Sequence, residues 1–172
     1  MATPIPWLEK KFEFEFDTGV YPELIERLRG TPARLEDRLN PLTVNVLTHQ
    51  PQGEWSIQEH AGHLLDLEAL FIGRLDDFLA DKPTLRGADM SNQKTHEADH
   101  NTAALATILD EFRQTRLAFV AQLDALDPTS FGKTALHPRL NVSLRLVDSL
   151  LFQAIHDDHH LAQIAEILQP AP

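Results

Sequence analysis

The stretch WSIQEHAGHLLDLEALFIGRLDDFL, Trp55 to Leu79, contains the clearest helix start in the chain. Its Ser56 and Glu59 have the S-x-x-E spacing of a capping box, in which each side chain accepts a hydrogen bond from the other residue's backbone N–H. An apolar stripe follows at helical spacing, made of Leu64, Leu67, Phe71, Leu75 and Phe78. The sequence therefore predicts an amphipathic helix to about Leu79, which needs other helices to cover its apolar face.

Three other stretches have the same helical periodicity. They cover residues 20–39 with an interruption at Gly30 and Pro32, residues 102–126, and residues 143–168. The segment from Asp81 to Asn101 is polar and contains proline and glycine, which favours a long connection. No stretch makes a convincing sheet. We therefore expect an all-α fold, a four-helix bundle with a long crossover connection.

The length of 172 residues suits a single domain over residues 1–172. The segment KKFEFEFD near the start alternates apolar and charged residues, as an extended chain does. An isolated strand needs a partner, and the sequence offers none nearby. We interpret residues 1–18 as an extended N-terminal arm that lies on the bundle.

The formal net charge of −11 excludes several classes of partner. An acidic surface repels nucleic-acid phosphates and anionic membranes, and no basic patch offsets it. No apolar run approaches the ~18 residues needed to span a bilayer, and the N-terminus lacks signal-peptide features. The expected location is the cytoplasm. With no cysteine in the chain, a nucleophilic thiol would have to arrive as a co-substrate.

His156 and His160 are the most informative residues, because they lie four positions apart within an apolar predicted helix. Such spacing presents two imidazoles to one ion, although an isolated pair is more often solvated or hydrogen-bonded. His63, inside the capped helix, is a candidate third ligand. Three histidines from two helices would leave coordination positions open for water or substrate, as catalytic metal sites do.

The other histidines and the nearby acids are weaker candidates. His159 lies about 100° around the helix from its neighbours and should not share the ion. His60 is expected at the rim of the site or supporting a ligand. For the remaining histidines and acids, solvent exposure is the simplest interpretation: His49, His96, His100, His137, Asp66, Asp157 and Asp158. As alternatives, the crossover with His96 and His100 could cover the site, and one of the acids could orient a ligand.

Two motifs resemble a known family. W-S-x-x-E-H-x-x-H-L (55–64) is followed about ninety residues later by H-D-x-H-H-L-A-x-I (156–164), and together they resemble the DinB/YfiT-like superfamily of metalloenzymes. LIERLRGTPARL (24–35) and HPRLNVSLRLVD (137–148) extend the resemblance over residues 24–168. It implies a four-helix bundle with a divalent metal, nickel, zinc or iron, held by His63, His156 and His160.

The resemblance also bears on activity and partners. Relatives include S-transferases and isomerases that use a low-molecular-weight thiol, and many members dimerise, so it implies a small-molecule substrate, a thiol co-substrate and a homodimer. Many members have H-H-R-G-Q where this chain has His159-His160-Leu161-Ala162-Gln163. If the missing arginine binds an acidic group of the thiol or substrate, Leu161 argues against thiol transfer.

The function predicted from the sequence is that of a metal-dependent enzyme, an S-transferase, hydrolase or isomerase. No catalytic residue beyond the metal ligands is identified. A non-catalytic, stress-related binding or interaction bundle with a structural metal or none is the alternative. Metal storage or sensing is less favoured, because no acidic cluster for a two-metal centre is visible on the helices.

Overall fold

Four long helical segments form the body of the protein in a computed structural model that describes residues 5–169. The first predicted helix is divided in two, and two short helices lie in the connections. The helices are α1 (Tyr21–Arg29), α2 (Thr31–Leu39), α3 (Val44–Leu47), α4 (Ile57–Leu79), α5 (Gln93–Ala98), α6 (Leu105–Asp124) and α7 (Leu146–Ile167). α4 packs against α6 and α7, and α1 also packs against α6 and α7, which confirms the four-helix bundle.

The break between α1 and α2 has a clear cause in the sequence. Pro32 has no backbone N–H, so it cannot donate the helical hydrogen bond to the carbonyl of Leu28. That carbonyl instead accepts a hydrogen bond from the Arg116 side chain of α6, at 3.2 Å. The interruption predicted at Gly30 and Pro32 is therefore confirmed, and it supplies a hydrogen-bond acceptor to the bundle interior.

The predicted capping box of α4 is confirmed. The Ser56 hydroxyl accepts from the backbone N–H of Glu59 at 3.1 Å, and the Glu59 carboxylate accepts from the backbone N–H of Ser56 at 2.7 Å. α7 starts three residues later than predicted, and there the Asp148 carboxylate accepts hydrogen bonds from the backbone N–H of Arg145 at 2.8 Å and from its guanidinium. Both helices that carry the candidate histidines thus begin at a fixed position.

The expectation of no sheet was wrong for one short region. Strands β1 (Thr134–His137) and β2 (Val142–Arg145) form an antiparallel hairpin, with Asn141 in the left-handed conformation that asparagine tolerates. The hairpin lies directly before α7 and includes Ser143, which the helical pattern had assigned to α7. Four residues per strand are too few for period-two alternation to stand out.

The N-terminal segment is extended from Lys10 to Phe16 and forms no strand within residues 5–169. Phe12, Phe14 and Phe16 are partly buried against the bundle, and Arg145 donates hydrogen bonds to the carbonyls of Phe14 and Phe16. The first four residues of the predicted arm and the last three of the chain lie outside the described part. No helix in residues 5–169 is long and apolar enough to cross a membrane.

The interior consists of two apolar clusters separated along the bundle by a polar layer. One cluster contains Phe71, Leu75 and Phe78 of α4, and the other contains Ile57, Ala61 and Leu64 of the same helix. On α7 the buried His156, Asp157 and His160 lie between Ala154 of the first cluster and Leu161 of the second. Since buried polar groups must be hydrogen-bonded or ligated, this layer is where function is to be sought.

Candidate metal centre

Three histidines from two helices meet in the polar layer. His63 lies on α4, and His156 and His160 lie one turn apart on α7. All three are buried, and each offers a ring nitrogen within 4.8 Å of those of the other two. The structure therefore brings together the three residues that the sequence analysis selected as a ligand set.

The tautomer of His63 is set by a chain of hydrogen bonds. Its Nδ1 lies 3.0 Å from the Thr95 hydroxyl, and that hydroxyl lies 2.9 Å from Oδ2 of Asp66. The single hydroxyl proton of Thr95 goes to the carboxylate, so the hydroxyl oxygen accepts from Nδ1–H of His63. Nε2 of His63 is left with a free lone pair.

The far end of this chain is His100, which donates from Nε2 to Oδ2 of Asp66 at 2.8 Å. Its ring lies against the backbone of Gly62, where an added Cβ would be 2.2 Å from the ring. Burial would raise the pKa of Asp66, but hydrogen bonds from His100 and Thr95 outweigh it and keep the pKa below its usual value. Asp66 is therefore an ionised anchor for the crossover.

The two candidate ligands on α7 have different partners. Nε2 of His160 lies 3.2 Å from Nε2 of His156, and Nδ1 of His160 lies 2.9 Å from Nδ1 of His60. One proton lies between the two Nδ1 atoms, and in the tautomer in which His160 carries it, Nε2 of His160 is available to an ion. Nδ1 of His156 has no hydrogen-bond partner within residues 5–169. His60 therefore supports a candidate ligand, as the sequence analysis allowed.

The imidazoles of this cluster are neutral at pH 7. Burial lowers the pKa of both His60 and His63 to about 4. Burial lowers the pKa of His156 and His160 further, and neighbouring histidines add to the effect. Since a metal ion binds the neutral imidazole, protons do not compete for these ring nitrogens near pH 7.

The spacing of the donors fits one divalent ion. Two nitrogens bound tetrahedrally at the usual zinc–nitrogen distance of about 2.0–2.1 Å lie about 3.3–3.4 Å apart. The two Nε2 atoms of His156 and His160 are 3.2 Å apart. Imidazole donors suit zinc, nickel or ferrous iron better than calcium or magnesium, which prefer oxygen.

A cavity of about 230 Å³ adjoins the three histidines. Aromatic rings close around it, with Trp7 4.9 Å from His156 and Trp55 4.7 Å from His63, measured between ring centroids. His159 also borders the cavity and lies beside Trp7, off the three-histidine cluster. A small molecule could thus reach the candidate ligands through a largely apolar pocket.

Solvent exposure, the simplest interpretation of the weaker candidates, was wrong for several of them because long-range packing buries their side chains, and for His100 the alternative holds, since the crossover packs against α4. His100 and Asp66 form the anchor described above, and Asp157 is bound by Arg116 and Thr31. His137 ends β1 and is 2% exposed. Asp158, which is partly buried, pairs with Arg27 and Arg34, whereas His49 and His96 are exposed as expected.

Of the two positions that depart from the family motif, Leu161 and Ala162, the first lies apart from the cavity. Leu161 is 5% exposed and packs in the apolar cluster that contains Ile57. Its carbonyl accepts a hydrogen bond from Arg38 of α2 at 3.4 Å. The side chain at this position contributes to the core of the bundle here.

The fold and the cluster together define a class: a four-helix bundle in which the second and last long helices bring three histidines to one point. The chain belongs to the DinB superfamily, whose sequence profile matches residues 27–164. The matched range includes all three histidines and the crossover that carries Thr95. None of the curated proteins compared with the chain matches it significantly.

Two similar solved structures support the fold. One is YfiT from Bacillus subtilis, described as a probable metal-dependent hydrolase with an unusual four-helix bundle topology. It is 22% identical with a TM-score of 0.80, over 92% of this chain and 91% of that one. The other is a mycothiol-dependent maleylpyruvate isomerase, 9% identical with a TM-score of 0.65. The match covers 86% of this chain but only 65% of the isomerase.

Proposed function

We propose that the chain is a metal-dependent enzyme acting on a small molecule, with His63, His156 and His160 as ligands of one divalent ion. The observation that carries the proposal is the buried set of three imidazoles, each with a ring nitrogen within 4.8 Å of those of the other two, beside a cavity. Burying such groups without a partner is unfavourable, and a cation bound among them would remove that penalty.

The proposed roles of the surrounding residues follow from their contacts. Thr95 and His60 fix the ring orientations of His63 and His160 through Nδ1. Trp7 and Trp55 shield the ligands from bulk water. A bound divalent ion supplies Lewis acidity, which lowers the pKa of a water or thiol that reaches it.

The proposed reaction is attack by water or by a low-molecular-weight thiol on an electrophilic small molecule. The two structural neighbours, one described as a hydrolase and one as a thiol-dependent isomerase, support these two nucleophiles. Because the chain has no cysteine, a thiol would enter as a co-substrate. The homodimer and the cytoplasmic location stay predictions.

The decisive experiment compares the metal content of untagged wild-type protein with that of two neighbouring variants. Wild type and His159→Ala are expected to retain close to one ion per chain by elemental mass spectrometry. His160→Ala should lose it, because its Nε2 contributes to the donor set and that of His159 does not. Trace metal in all three proteins, or equal retention by His160→Ala, would refute the ligand assignment and favour the non-catalytic bundle.

The reaction class is tested with metal-loaded protein and two nucleophiles. An activated ester in water tests hydrolysis, and an aryl chloride with added thiol tests transfer. For one of the two reactions we expect turnover that depends on the metal. This turnover should disappear in His160→Ala but not in His159→Ala. Equal rates in wild type and His160→Ala for both would contradict an enzymatic role for the centre.

A further inference from the structure

The cavity beside the histidines has a second, cationic part. Arg74 of α4 lines it eleven residues beyond His63, about 16 Å along the helix. His137 and Arg139 of the hairpin line it as well. Arg74, His137 and Arg139 offer hydrogen-bond donors, whereas Asp89, which also borders the cavity, is exposed and its carboxylate accepts hydrogen bonds from the backbone of Ser91 and Gln93.

His137 presents an unused donor to this region. Its Nδ1 accepts from the backbone N–H of Leu140 at 3.2 Å, so the ring proton is on Nε2. That Nε2 is buried and has no hydrogen-bond partner among residues 5–169. Burying an N–H without an acceptor is unfavourable, and an incoming acceptor atom would offset this cost.

The two arginines have unused donors as well. Nη2 of Arg139 is buried without a hydrogen-bond partner in the described part of the chain. Arg74 is 3% exposed, and its hydrogen bond within that part runs from Nε to the carbonyl of Arg86 at 3.2 Å. Asp77, the carboxylate that attracts Arg74, is hydrogen-bonded to Lys82 and Arg86. The two guanidinium groups therefore lack a dedicated carboxylate.

The positive charges of Arg74 and Arg139 repel each other. Burial lowers the pKa of Arg74 to about 10, and the charge of Arg139 contributes to the shift. Burial likewise lowers the pKa of His137 to about 4, with Arg74 and Arg139 adding to it. Gathering like charges in a poorly solvated pocket is unfavourable unless an anion completes it.

We propose that the cavity binds a small molecule through an anionic group, a carboxylate or a phosphate, held by Arg74, Arg139 and Nε2–H of His137. The apolar part of the ligand then lies along Leu67, Phe71 and Phe152, and its other end points to the three histidines. The volume of about 230 Å³ is below the usual 300–1,000 Å³ of ligand pockets, so the ligand is small.

The orientation of the substrate rests on the proposed function, but the anion subsite does not need the metal. Calorimetry on metal-free and metal-loaded protein therefore separates the two, with pentanoate, pentanamide and butyl phosphate as probes. Pentanoate and pentanamide have nearly the same shape and differ in charge. Binding of the anion in chelator-treated protein would stand even if the histidines held no ion.

In both forms of wild type we expect pentanoate or butyl phosphate to bind at least about tenfold more tightly than pentanamide. The tighter of the two anions identifies the preferred group. Arg139→Met should reduce the preference for charge several-fold, because only Arg74 then supplies a cation, and Arg139→Lys should reduce it less. Arg38→Met is the matched control, because it removes an exposed arginine of α2 and should leave the preference intact.

Equal affinity for acid and amide in wild type, no binding of either anion, or an unchanged preference in Arg139→Met would each overturn the subsite. His137→Gln gives a second readout, since the variant keeps a side-chain donor and should weaken anion binding less than Arg139→Met. A larger loss in His137→Gln than in Arg139→Met would also contradict the proposed arrangement.

Discussion

His156 and Asp157 are consecutive residues of α7 and both are buried, yet they belong to polar clusters of opposite kinds. Asp157 forms the ion-pair network with Arg116 and Glu68, whose side chains are at most 2% exposed. Arg116 donates to both carboxylates, at 2.5 Å to Asp157 and 2.7 Å to Glu68. The Nε2 of His156 lies 3.2 Å from Nε2 of His160, and its ring packs against Trp7 and His63.

The difference lies in where the cation comes from. In the ion-pair network the chain supplies it, and the carbonyl of Leu28, which Pro32 leaves free, accepts a further hydrogen bond from Arg116. In the histidine-lined cavity the donors converge and the described part of the chain offers no cation to their lone pairs. A buried polar cluster whose hydrogen bonds and charges are paired within the protein stabilises the packing of the helices. A buried polar cluster with unpaired atoms beside a cavity instead indicates a ligand.

Arg116→Met tests the first half of this comparison and should have the largest effect. It leaves Glu68 and Asp157 buried without their cation, which is expected to destabilise the fold by about 3–5 kcal/mol. Arg113→Met on the same helix breaks a partly exposed pair with Glu36 and should cost less than about 1 kcal/mol. Denaturant unfolding of both variants measures this, and equal losses would contradict a structural role for Arg116.

His156→Leu tests the second half, with a different expected result. The metal-free variant should be at least as stable as wild type, because Nδ1 of His156 is a buried group without a partner. Wild type should gain about 2.7 kcal/mol at a metal concentration 100 times Kd, and His156→Leu should gain nothing. His159→Leu is the control and should still respond to metal.

A response of His156→Leu to metal would place the ion elsewhere. A metal-free loss as large as that of Arg116→Met would mean that the histidines are structural, as the ion-pair network is. Thermal unfolding with and without zinc or nickel distinguishes these outcomes.

The sequence was most informative where local spacing alone determines the structure. The capping box at Ser56 and the four-residue spacing of His156 and His160 are properties of one helix, so they survive in any packing. The pairing with His63 rested on a resemblance to a family as well as on the helical face. The burial of Arg116 could also have been predicted, since its helical spacing places it between Phe112 and Phe119 on the apolar face of α6.

Features that depend on distant segments could not be predicted in this way. Thr95 and His100 reach α4 only because the crossover folds back over Gly62, and a polar loop sequence does not specify where it lies. Asp157 looked solvated because nothing local to α7 shows that Arg116 lies opposite. The placement of His137 beside two arginines likewise depends on a hairpin whose strands are four residues long.

The pH dependence of stability tests the environment of His137, which lies with Arg74 and Arg139 in the cationic part of the histidine-lined cavity. His137 has a pKa of about 4 in the fold, lowered by burial and then by Arg74 and Arg139, against about 6.5 unfolded. Between these values the unfolded chain binds more protons, so stability is lost as the pH falls from about 6.5 to 4.

The variant His137→Gln isolates this contribution. At pH 5 relative to pH 7.5, wild type should lose about 1–2 kcal/mol more than His137→Gln, measured by denaturant unfolding of metal-free protein. His49→Gln removes an exposed histidine and should show the same dependence of unfolding free energy on pH as wild type. An identical slope in wild type and His137→Gln would mean that His137 titrates normally, contrary to its burial.

Thr95→Val makes the smallest change, because it keeps the shape of the side chain and removes only the hydroxyl between His63 and Asp66. Without it, Nδ1–H of His63 loses its acceptor and the ring orientation is held by packing alone. Loss of such a support usually weakens metal affinity by 10–100-fold, and we expect about tenfold here, which is about 1.4 kcal/mol. Competition with a metal-binding dye measures it, with Thr102→Val, an exposed threonine of the same connection, as the control. An unchanged affinity in Thr95→Val, or an equal loss in Thr102→Val, would mean that the His63–Thr95–Asp66 chain only attaches the crossover to α4, as Arg116 attaches α6 to its neighbours.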